Sequence, residues 1–266
     1  MKNKFMTDEE YEECFVDFWG IRSKIANYLT AYGLTPGVRV LDVPAGHGFL
    51  SYEIARVVHG TVYAVGLLND VNTFKKFVRS SKERFEKKYL DLITYCTADA
   101  AALPFLCETF DFVVNFLGLE DINMTRGETG VKKSLSEFQR VITPGGIVQV
   151  TLCLEGDEPD QIIAKEVMKY LGCNAIFYPK EFYVQELKKL GIEIIAEQWV
   201  HTHRKMTAAQ AEEELRFACE ETPKIFKEFD VHTVSFEELW QKVGERIETH
   251  GMAYYSDLLV LVGQKR

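Results

Sequence analysis

The stretch VRVLDVPAGHGFLSYEIA, Val38 to Ala55, changes its hydrophobic pattern halfway along. A short apolar run ending at Val43 predicts a buried strand, and a turn of small residues follows at positions 44–48. Apolar residues at helical spacing from Phe49 onward predict a helix. The stretch therefore predicts the strand, turn and helix of an α/β protein. In such a unit the amino terminus of the helix offers N–H groups to a nucleotide-like ligand.

The turn has the pattern Asp42-x-Pro44-x-Gly46-x-Gly48, which does not match the G-x-G-x-x-G pattern of dinucleotide-binding turns. It resembles the first motif of class I S-adenosylmethionine-dependent methyltransferases, an acidic residue followed by x-G-x-G-x-G. The resemblance implies that Asp42 lies near the methionine end of the cofactor and that Pro44, Ala45, Gly46 and Gly48 bind it. Pro44 departs from the motif, because it replaces the first glycine and donates no N–H. A structural turn without a cofactor is the alternative.

A second block spans Thr97 to Phe105 and continues with FDFVV at positions 110–114, after a predicted third strand. It resembles the D-A-x-x-L-P-F … F-D-x-V run of methyltransferases that act on small molecules. The resemblance implies that Asp99 accepts a hydrogen bond from the adenine amino group, with the Ala100 backbone nearby. A carboxylate suits such a donor. Asn115 and Phe116, at the end of the predicted fourth strand, are also assigned to the cofactor site.

The two motifs in this order imply an α/β fold with a Rossmann-like, seven-stranded, mostly parallel sheet. Helices are expected on both faces, the last strand antiparallel, and a helical cap inserted before it. The expected segments are a helical lid over 1–36, a cofactor-binding core over 37–200, a helical cap over 201–253 and a final core strand over 254–266. One long helix is predicted from Val71 to Tyr89.

The end of the predicted second strand lacks an expected residue. In methyltransferases and nicotinamide enzymes this strand usually ends with an acid that hydrogen-bonds the ribose hydroxyls. Leu68 falls at that position, followed by Asn69 and Asp70. Leu68 and Asn69 are assigned to the cofactor site for their position. Either Asn69 or Asp70 reaches the ribose, or both cap the following helix, and capping is favoured for Asp70.

Candidate catalytic residues follow two predicted strands. Glu120 and Asp121 come after the fourth strand, and a carboxylate pair there suits a cationic amine or a hydroxyl acceptor. His201, after the sixth strand, is a further candidate base. Two histidines without further ligand spacing predict no metal site. The expected substrate pocket comprises Tyr11, Trp19, Glu120, His203, Tyr254 and Tyr255, with simple packing as the alternative for the aromatic residues and histidines.

The composition limits the partners of the chain. It has 266 residues, 47% of them hydrophobic, and a formal net charge of −9, which opposes non-specific binding to nucleic acid or anionic membranes. The six cysteines form no CxxC pair, and no segment has the length and apolarity of a signal peptide or membrane span. These features predict a soluble cytoplasmic protein with reduced cysteines and a small-molecule substrate. They do not predict the oligomeric state.

Three functions are compatible with these patterns. The leading one is an S-adenosylmethionine-dependent methyltransferase with a small-molecule acceptor. A catalytically degenerate relative, which binds the cofactor or a nucleoside as a partner subunit, is the alternative suggested by Pro44 and Leu68. A nicotinamide-dependent oxidoreductase is disfavoured, because both the dinucleotide glycine pattern and the ribose acid are missing.

Overall fold

The computed structural model describes residues 20–68, 70–72, 74–75, 85–154, 156–173, 177–201, 205–225 and 231–266. The described part contains one seven-stranded sheet. Its strands are β1 (Val40–Asp42), β2 (Val62–Gly66), β3 (Ile93–Thr97), β4 (Phe110–Phe116), β5 (Ile142–Cys153), β6 (Ile192–His201) and β7 (Asp257–Lys265). The spatial order is β3-β2-β1-β4-β5-β7-β6, and β7 runs antiparallel to both of its neighbours. The predicted mostly parallel sheet with an antiparallel last strand is confirmed.

The central strands are apolar because both of their faces are covered. All three residues of β1 are buried, and Leu41 pairs with Tyr63 of β2 on one side and Val113 of β4 on the other. This register brings the carboxyl ends of β1, β2 and β4 to one edge of the sheet. In open α/β sheets, ligands bind at that edge.

The helices lie on both faces of this sheet, as predicted. They are α1 (residues 20–29), α2 (Phe49–Val58), α3 (described helical residues within 68–75), α4 (Lys87–Leu90), α5 (Gly118–Val141), α6 (Pro159–Tyr170), α7 (Lys180–Lys189), α8 (Ala208–Ile225) and α9 (Phe236–His250). One buried cluster joins the sheet to α5 and α7, and a second joins it to α1 and α2.

The prediction of one helix from Val71 to Tyr89 is wrong at its carboxyl end. Phe85 and Glu86 are not helical, and α4 begins afterwards. Phe85 packs edge-on against Tyr52 with ring centroids 4.9 Å apart, and the Glu86 N–H donates to the Tyr52 hydroxyl at 3.1 Å. These contacts with α2 outweigh the local helical pattern, since helix propensity is a weak preference that tertiary packing overrides.

The expected lid and cap boundaries differ from the packing. Within the expected lid over 1–36, α1 packs its apolar stripe of Ile21, Ile25 and Leu29 into the core beside α2. The expected core over 37–200 includes α6, yet its buried residues Ile163 and Val167 belong to a cluster with α8 and α9. Helices α6, α8 and α9 thus share one apolar cluster, which we call the cap, although α6 is separate from the other two in the chain. The domain bounds themselves stay predictions.

Candidate functional site

The turn after β1 leaves open space at its centre. Gly46 has φ +49° and Gly48 has φ +80°, both in the left-handed region that favours glycine. Gly48 is the N-cap residue of α2 and its N–H donates to the Ala45 carbonyl at 2.8 Å. No described atom lies within 4 Å of the position that a Cβ on Gly46 would take. A ligand can therefore approach the backbone at Gly46.

Two aromatic side chains contact this turn, and no sequence pattern had indicated either of them. The Tyr95 hydroxyl of β3 donates to the Gly46 carbonyl. A Cβ on Gly66 would lie 2.5 Å from the Tyr95 hydroxyl, so the glycine at the end of β2 leaves room for that side chain. The Phe74 ring occupies the matching space beside Gly48, since a Cβ on that glycine would lie 2.8 Å from the ring. A glycine at a buried strand end was the only signal for this arrangement in the sequence.

Pro44, the departure from the motif, is accommodated by a second glycine. A Cβ on Gly118, at the start of α5, would lie 2.2 Å from Pro44 Cγ and 2.8 Å from Asn115 Nδ2. The missing side chain of Gly118 thus makes room for the proline ring. Asn115 is fully buried and donates Nδ2 to the Val43 carbonyl at 2.9 Å, so it ties the end of β4 to the turn.

Asp42 is sealed beneath the turn. Only 1% of it is exposed, and its Oδ2 accepts from the Ser51 hydroxyl at 2.6 Å, while Oδ1 has no hydrogen-bond partner among the described residues. Burial raises the pKa of Asp42 to about 7, although the hydrogen bond from Ser51 and the charge of Arg22 act in the opposite direction. Asp42 therefore joins β1 to α2, and its contact with a cofactor stays a prediction.

Arg22 lies over the ring of Phe116, with its guanidinium carbon 4.4 Å from the ring centroid. It also lies 5.2 Å from the centroid of the Phe49 ring. Phe116 is half-buried at the end of β4. Its observed contact is thus a cation–π pair with α1, and its assignment to the cofactor site stays a prediction.

At the end of β2, Asp70 caps the following helix. Its Oδ2 accepts from the Leu67 N–H at 2.9 Å, so the favoured capping role is confirmed, although the helical residues begin at Leu68 rather than at the predicted Val71 and Asp70 caps from within the first turn. Leu68 is 62% exposed beside it, and Asn69 lies outside the described residues. Oδ2 of Asp70 therefore has a structural role at the start of this helix. A contact of Asn69 or Asp70 with the ribose stays a prediction.

Asp99 lies in a tight turn just after β3. Its Oδ1 accepts from the Ala101 N–H at 2.9 Å, and its Oδ2 is 2.6 Å from Nη1 of Arg126 in α5. The side chain of Asp99 remains 34% exposed, whereas Ala100 is buried. The carboxylate is accessible to a ligand and held in one orientation. The ion pair with Arg126 had no sequence signal.

Glu120 and Asp121 are neighbours with different surroundings. Glu120 is 4% exposed and its Oε1 accepts from the Cys153 N–H at 2.6 Å, while Oε2 has no hydrogen-bond partner among the described residues. Burial raises its pKa to about 8. Glu120 therefore connects α5 to the end of β5.

Asp121 is exposed to solvent in the first turn of α5, directly after the buried Glu120. Desolvation by the surrounding protein, and then the negative charge of Asp70, raise the pKa of Asp121 to about 7. The charges of Asp70 and Asp121 therefore interact between the carboxyl ends of β2 and β4.

Two tyrosines precede β7 at the same edge. Tyr255 is half-buried and close enough to Asp121, Cys153 and Glu120 for their charges to raise its pKa, although burial is the larger cause. The Tyr254 and Tyr255 ring centroids are 6.5 Å apart. Tyr254 packs against the cap and Tyr255 against the sheet, so the pair lies where cap and sheet meet.

No contact of the described residues places the remaining predicted site residues at this edge of the sheet. Tyr11, Trp19 and His203 lie outside the described residues. His201 ends β6 and pairs in register with Asp257 of β7. The roles of these four residues stay predictions.

The strand order, the antiparallel β7 and the glycine turn after β1 define a Rossmann-like protein of the class I methyltransferase type. A model of the ubiE/COQ5 methyltransferase family matches residues 20–176, and the chain belongs to that family. The predicted resemblance is therefore confirmed.

Named relatives match about half of this chain. The chain is 31% identical over 144 residues to the ubiquinone/menaquinone biosynthesis C-methyltransferase UbiE of Teredinibacter turnerae, a match that covers 54% of this chain and 53% of that protein. It is 28% identical over 145 residues to the 2-phytyl-1,4-naphtoquinone methyltransferase of Synechocystis, covering 54% and 56%. The chain thus spans about half the length of the curated relatives it matches.

A solved structure extends the likeness to nearly the whole chain. Geranyl diphosphate methyltransferase in complex with S-adenosylmethionine superposes with a TM-score of 0.55 at 12% identity, covering 92% of this chain and 85% of that one. At this identity the likeness shows the fold alone. Among the described residues, every helix is too short or too polar to cross a membrane.

Proposed function

We propose that the chain is an S-adenosylmethionine-dependent methyltransferase that methylates a small molecule. One observation carries the proposal beyond family membership: an exposed carboxylate, Asp121, lies at the strand edge that also holds the open turn at Gly46, and the charge of Asp70 contributes to its raised pKa. An accessible carboxylate with a perturbed pKa is a common property of functional sites.

The residues present suit this cofactor. Its sulfonium carries a positive charge, and Asp70 and Asp121 supply negative charge at this edge of the sheet. The open side of Gly46 admits a ligand to the backbone, and Asp99 offers a held acceptor for an amino group. We assign Asp99 and the Ala100 backbone to the adenine, the 44–48 turn to the methionine part, and Asp121 to the region of the sulfonium.

The bound cofactor supplies an electrophilic methyl group, and its sulfur keeps the electron pair of the broken bond. The protein then has to align the acceptor, exclude water and receive a proton if the acceptor carries one. Asp121 suits the proton-accepting role, since its carboxylate is accessible and its pKa of about 7 is close to neutrality. Glu120 suits it less, because one of its oxygens accepts from the Cys153 N–H.

The experiment is calorimetric titration of S-adenosylmethionine and S-adenosylhomocysteine into the wild-type chain and into Asp99→Ala. We expect micromolar binding that Asp99→Ala weakens about ten-fold or more, since a hydrogen bond to a charged group contributes roughly 1.5–3 kcal/mol. Asp111→Ala is the matched control, because Asp111 lies near the start of β4, at the opposite edge, and pairs with Arg39 at 2.8 Å. Absence of wild-type binding, or equal loss in both variants, would contradict the cofactor site.

Turnover separates an enzyme from a degenerate binding protein. Acceptors would be screened by release of S-adenosylhomocysteine, starting with amines and hydroxylated small molecules, which suit the carboxylates at this edge of the sheet. We expect Asp121→Asn to lower kcat for an acceptor that must lose a proton. Tight cofactor binding with no turnover on any acceptor would favour the partner-subunit alternative.

A further inference from the structure

Arg126 joins two structural elements at the proposed adenine end of the site. Its Nη1 lies 2.6 Å from Oδ2 of Asp99, so an ion pair connects the turn after β3 to α5. The other carboxylate oxygen of Asp99 accepts from the Ala101 N–H at 2.9 Å. The carboxylate is thus held at both oxygens, and its orientation is set by partners on two different elements.

The chain around Arg126 is built to place this side chain. Gly127 interrupts α5 with φ +64° and ψ −168°, a conformation essentially restricted to glycine. Gly130 has no side chain where Arg126 lies, since a Cβ on Gly130 would be 2.5 Å from Arg126 Cβ. The run TRGETG, residues 125–130, therefore ends one helical segment at Arg126 and makes room for its stem.

Stability alone does not account for this arrangement. The two side chains are 42% and 34% exposed, and ion pairs with that exposure contribute only about 0–1 kcal/mol. A backbone conformation restricted to glycine, in contrast, costs roughly 1–3 kcal/mol for other residues. Gly127 adopts this conformation without that cost, and the break it makes in α5 directly after Arg126 determines where the arginine leaves the helix.

We propose that Arg126 is a positioning residue that orients Asp99 so that the site selects a 6-amino purine. This inference rests on the proposed function. Each carboxylate oxygen can accept two hydrogen bonds, so one acceptor position on each oxygen remains after Arg126 and Ala101 are satisfied. Arg126 and Ala101 prevent the carboxylate from rotating, and the remaining acceptor positions then point in one direction.

Such a fixed acceptor distinguishes two purines. A 6-amino group donates a hydrogen bond to the carboxylate, whereas a 6-oxo group presents an acceptor at the same position, so this hydrogen bond is lost. Sites built around a required hydrogen bond reject the analogue that cannot form it. If Asp99 can rotate, it can turn away from the 6-oxo group, and the selectivity falls.

The test measures the ratio of the dissociation constants of S-inosylhomocysteine and S-adenosylhomocysteine. We expect the wild type to bind S-adenosylhomocysteine more tightly than S-inosylhomocysteine. Arg126→Gln should lower the ratio about five-fold or more, because it removes part of the ten-fold or greater effect of a charge-assisted hydrogen bond. Arg126→Lys should restore part of the ratio, since it keeps the positive charge. Arg246→Gln is the matched control, because Arg246 is 43% exposed and pairs with Glu166 at 2.5 Å in the cap.

Thermal unfolding of each variant separates positioning from folding. A ratio that stays at the wild-type value in Arg126→Gln, or that falls equally in Arg246→Gln, overturns the role of Arg126 while cofactor binding stands. Equal wild-type affinity for the two purines overturns it too. If the wild type binds neither compound, the proposed function itself fails.

Discussion

The carboxyl edge of the sheet, where we propose that the cofactor binds, and the helical cap are each stabilised by different interactions. The edge depends on the backbone conformation of the turn at Gly46 and on hydrogen bonds of buried polar groups. Asp42 accepts one from the Ser51 hydroxyl, and Glu120 accepts one from the Cys153 N–H. The cap depends on an apolar cluster from α6, α8 and α9 in which Leu239, Val243 and Ile247 are fully buried. Hydrogen bonds are sensitive to displacements of a few tenths of an ångström, while apolar packing tolerates substitution of similar volume.

This difference suggests how the two regions divide their work. Under the proposed function, the edge positions groups toward a cofactor that is the same for every acceptor, so its geometry has to be maintained. The cap has its own buried cluster and meets the sheet at Tyr254 and Tyr255. Its surface can change without disturbing the turn after β1, and we therefore expect acceptor selectivity to reside there.

The largest effect is expected from Leu239→Ala in the cap. Leu239 is fully buried, and truncation of such a residue typically lowers the free energy of unfolding by about 2–5 kcal/mol. Because the cap cluster is separate from the turn, the affinity for S-adenosylmethionine should change little. Chemical denaturation and calorimetry would measure the two quantities, with Leu106→Ala, at an 83% exposed position, as the control. A loss of affinity in proportion to stability would break the division between edge and cap.

A smaller loss of stability, with a larger effect on binding, is expected from Gly118→Ala at the carboxyl edge of the sheet. The new Cβ would lie 2.2 Å from Pro44 Cγ, so the turn must move, at a cost of roughly 1–3 kcal/mol for overpacking. We expect cofactor affinity to fall at least ten-fold by calorimetry. Gly60→Ala is the control, because its Cβ would meet only the Val58 carbonyl at 3.6 Å. Unchanged affinity in Gly118→Ala would show that the turn adapts without consequence for the ligand.

The smallest effect is expected from pH. The pKa of Asp121 is about 7, and a cationic sulfonium favours its ionised form, so the affinity for S-adenosylmethionine should rise up to about ten-fold from about pH 6 to 8. S-adenosylhomocysteine has a neutral sulfur and should show a weaker dependence. Calorimetry at several pH values, repeated with Asp121→Asn, measures this. An equally steep profile in the variant would assign the titration to another group.

The ionisation of Asp121 also changes the free energy of unfolding. The folded chain holds the proton of Asp121 more tightly than the unfolded chain, because its pKa is raised from 3.8 to about 7. The contribution of Asp121 to the free energy of unfolding therefore falls as pH rises between those values. Asp121→Asn should remove that part of the pH dependence of unfolding.

The sequence alone was sufficient for the first strand, the glycine turn and a capping role for Asp70. These features depend on local signals: an apolar run, small residues at positions 44–48, and a carboxylate near the start of a helix. Residues adjacent in sequence express such preferences without help from distant parts of the chain. The mostly parallel sheet with an antiparallel last strand was instead implied by the resemblance to the methyltransferase family, and the strand order came from the structure.

Only the tertiary structure decided which acidic side chains are buried and which are exposed. Glu120 and Asp121 are adjacent in sequence, yet Glu120 is buried against the end of β5 and Asp121 is exposed. The pairing of Pro44 with Gly118, the ion pair of Asp99 with Arg126 and the transfer of α6 to the cap likewise join residues far apart in the chain. Such contacts depend on complementary shape and charge between elements, and no periodicity or motif within a single segment records them.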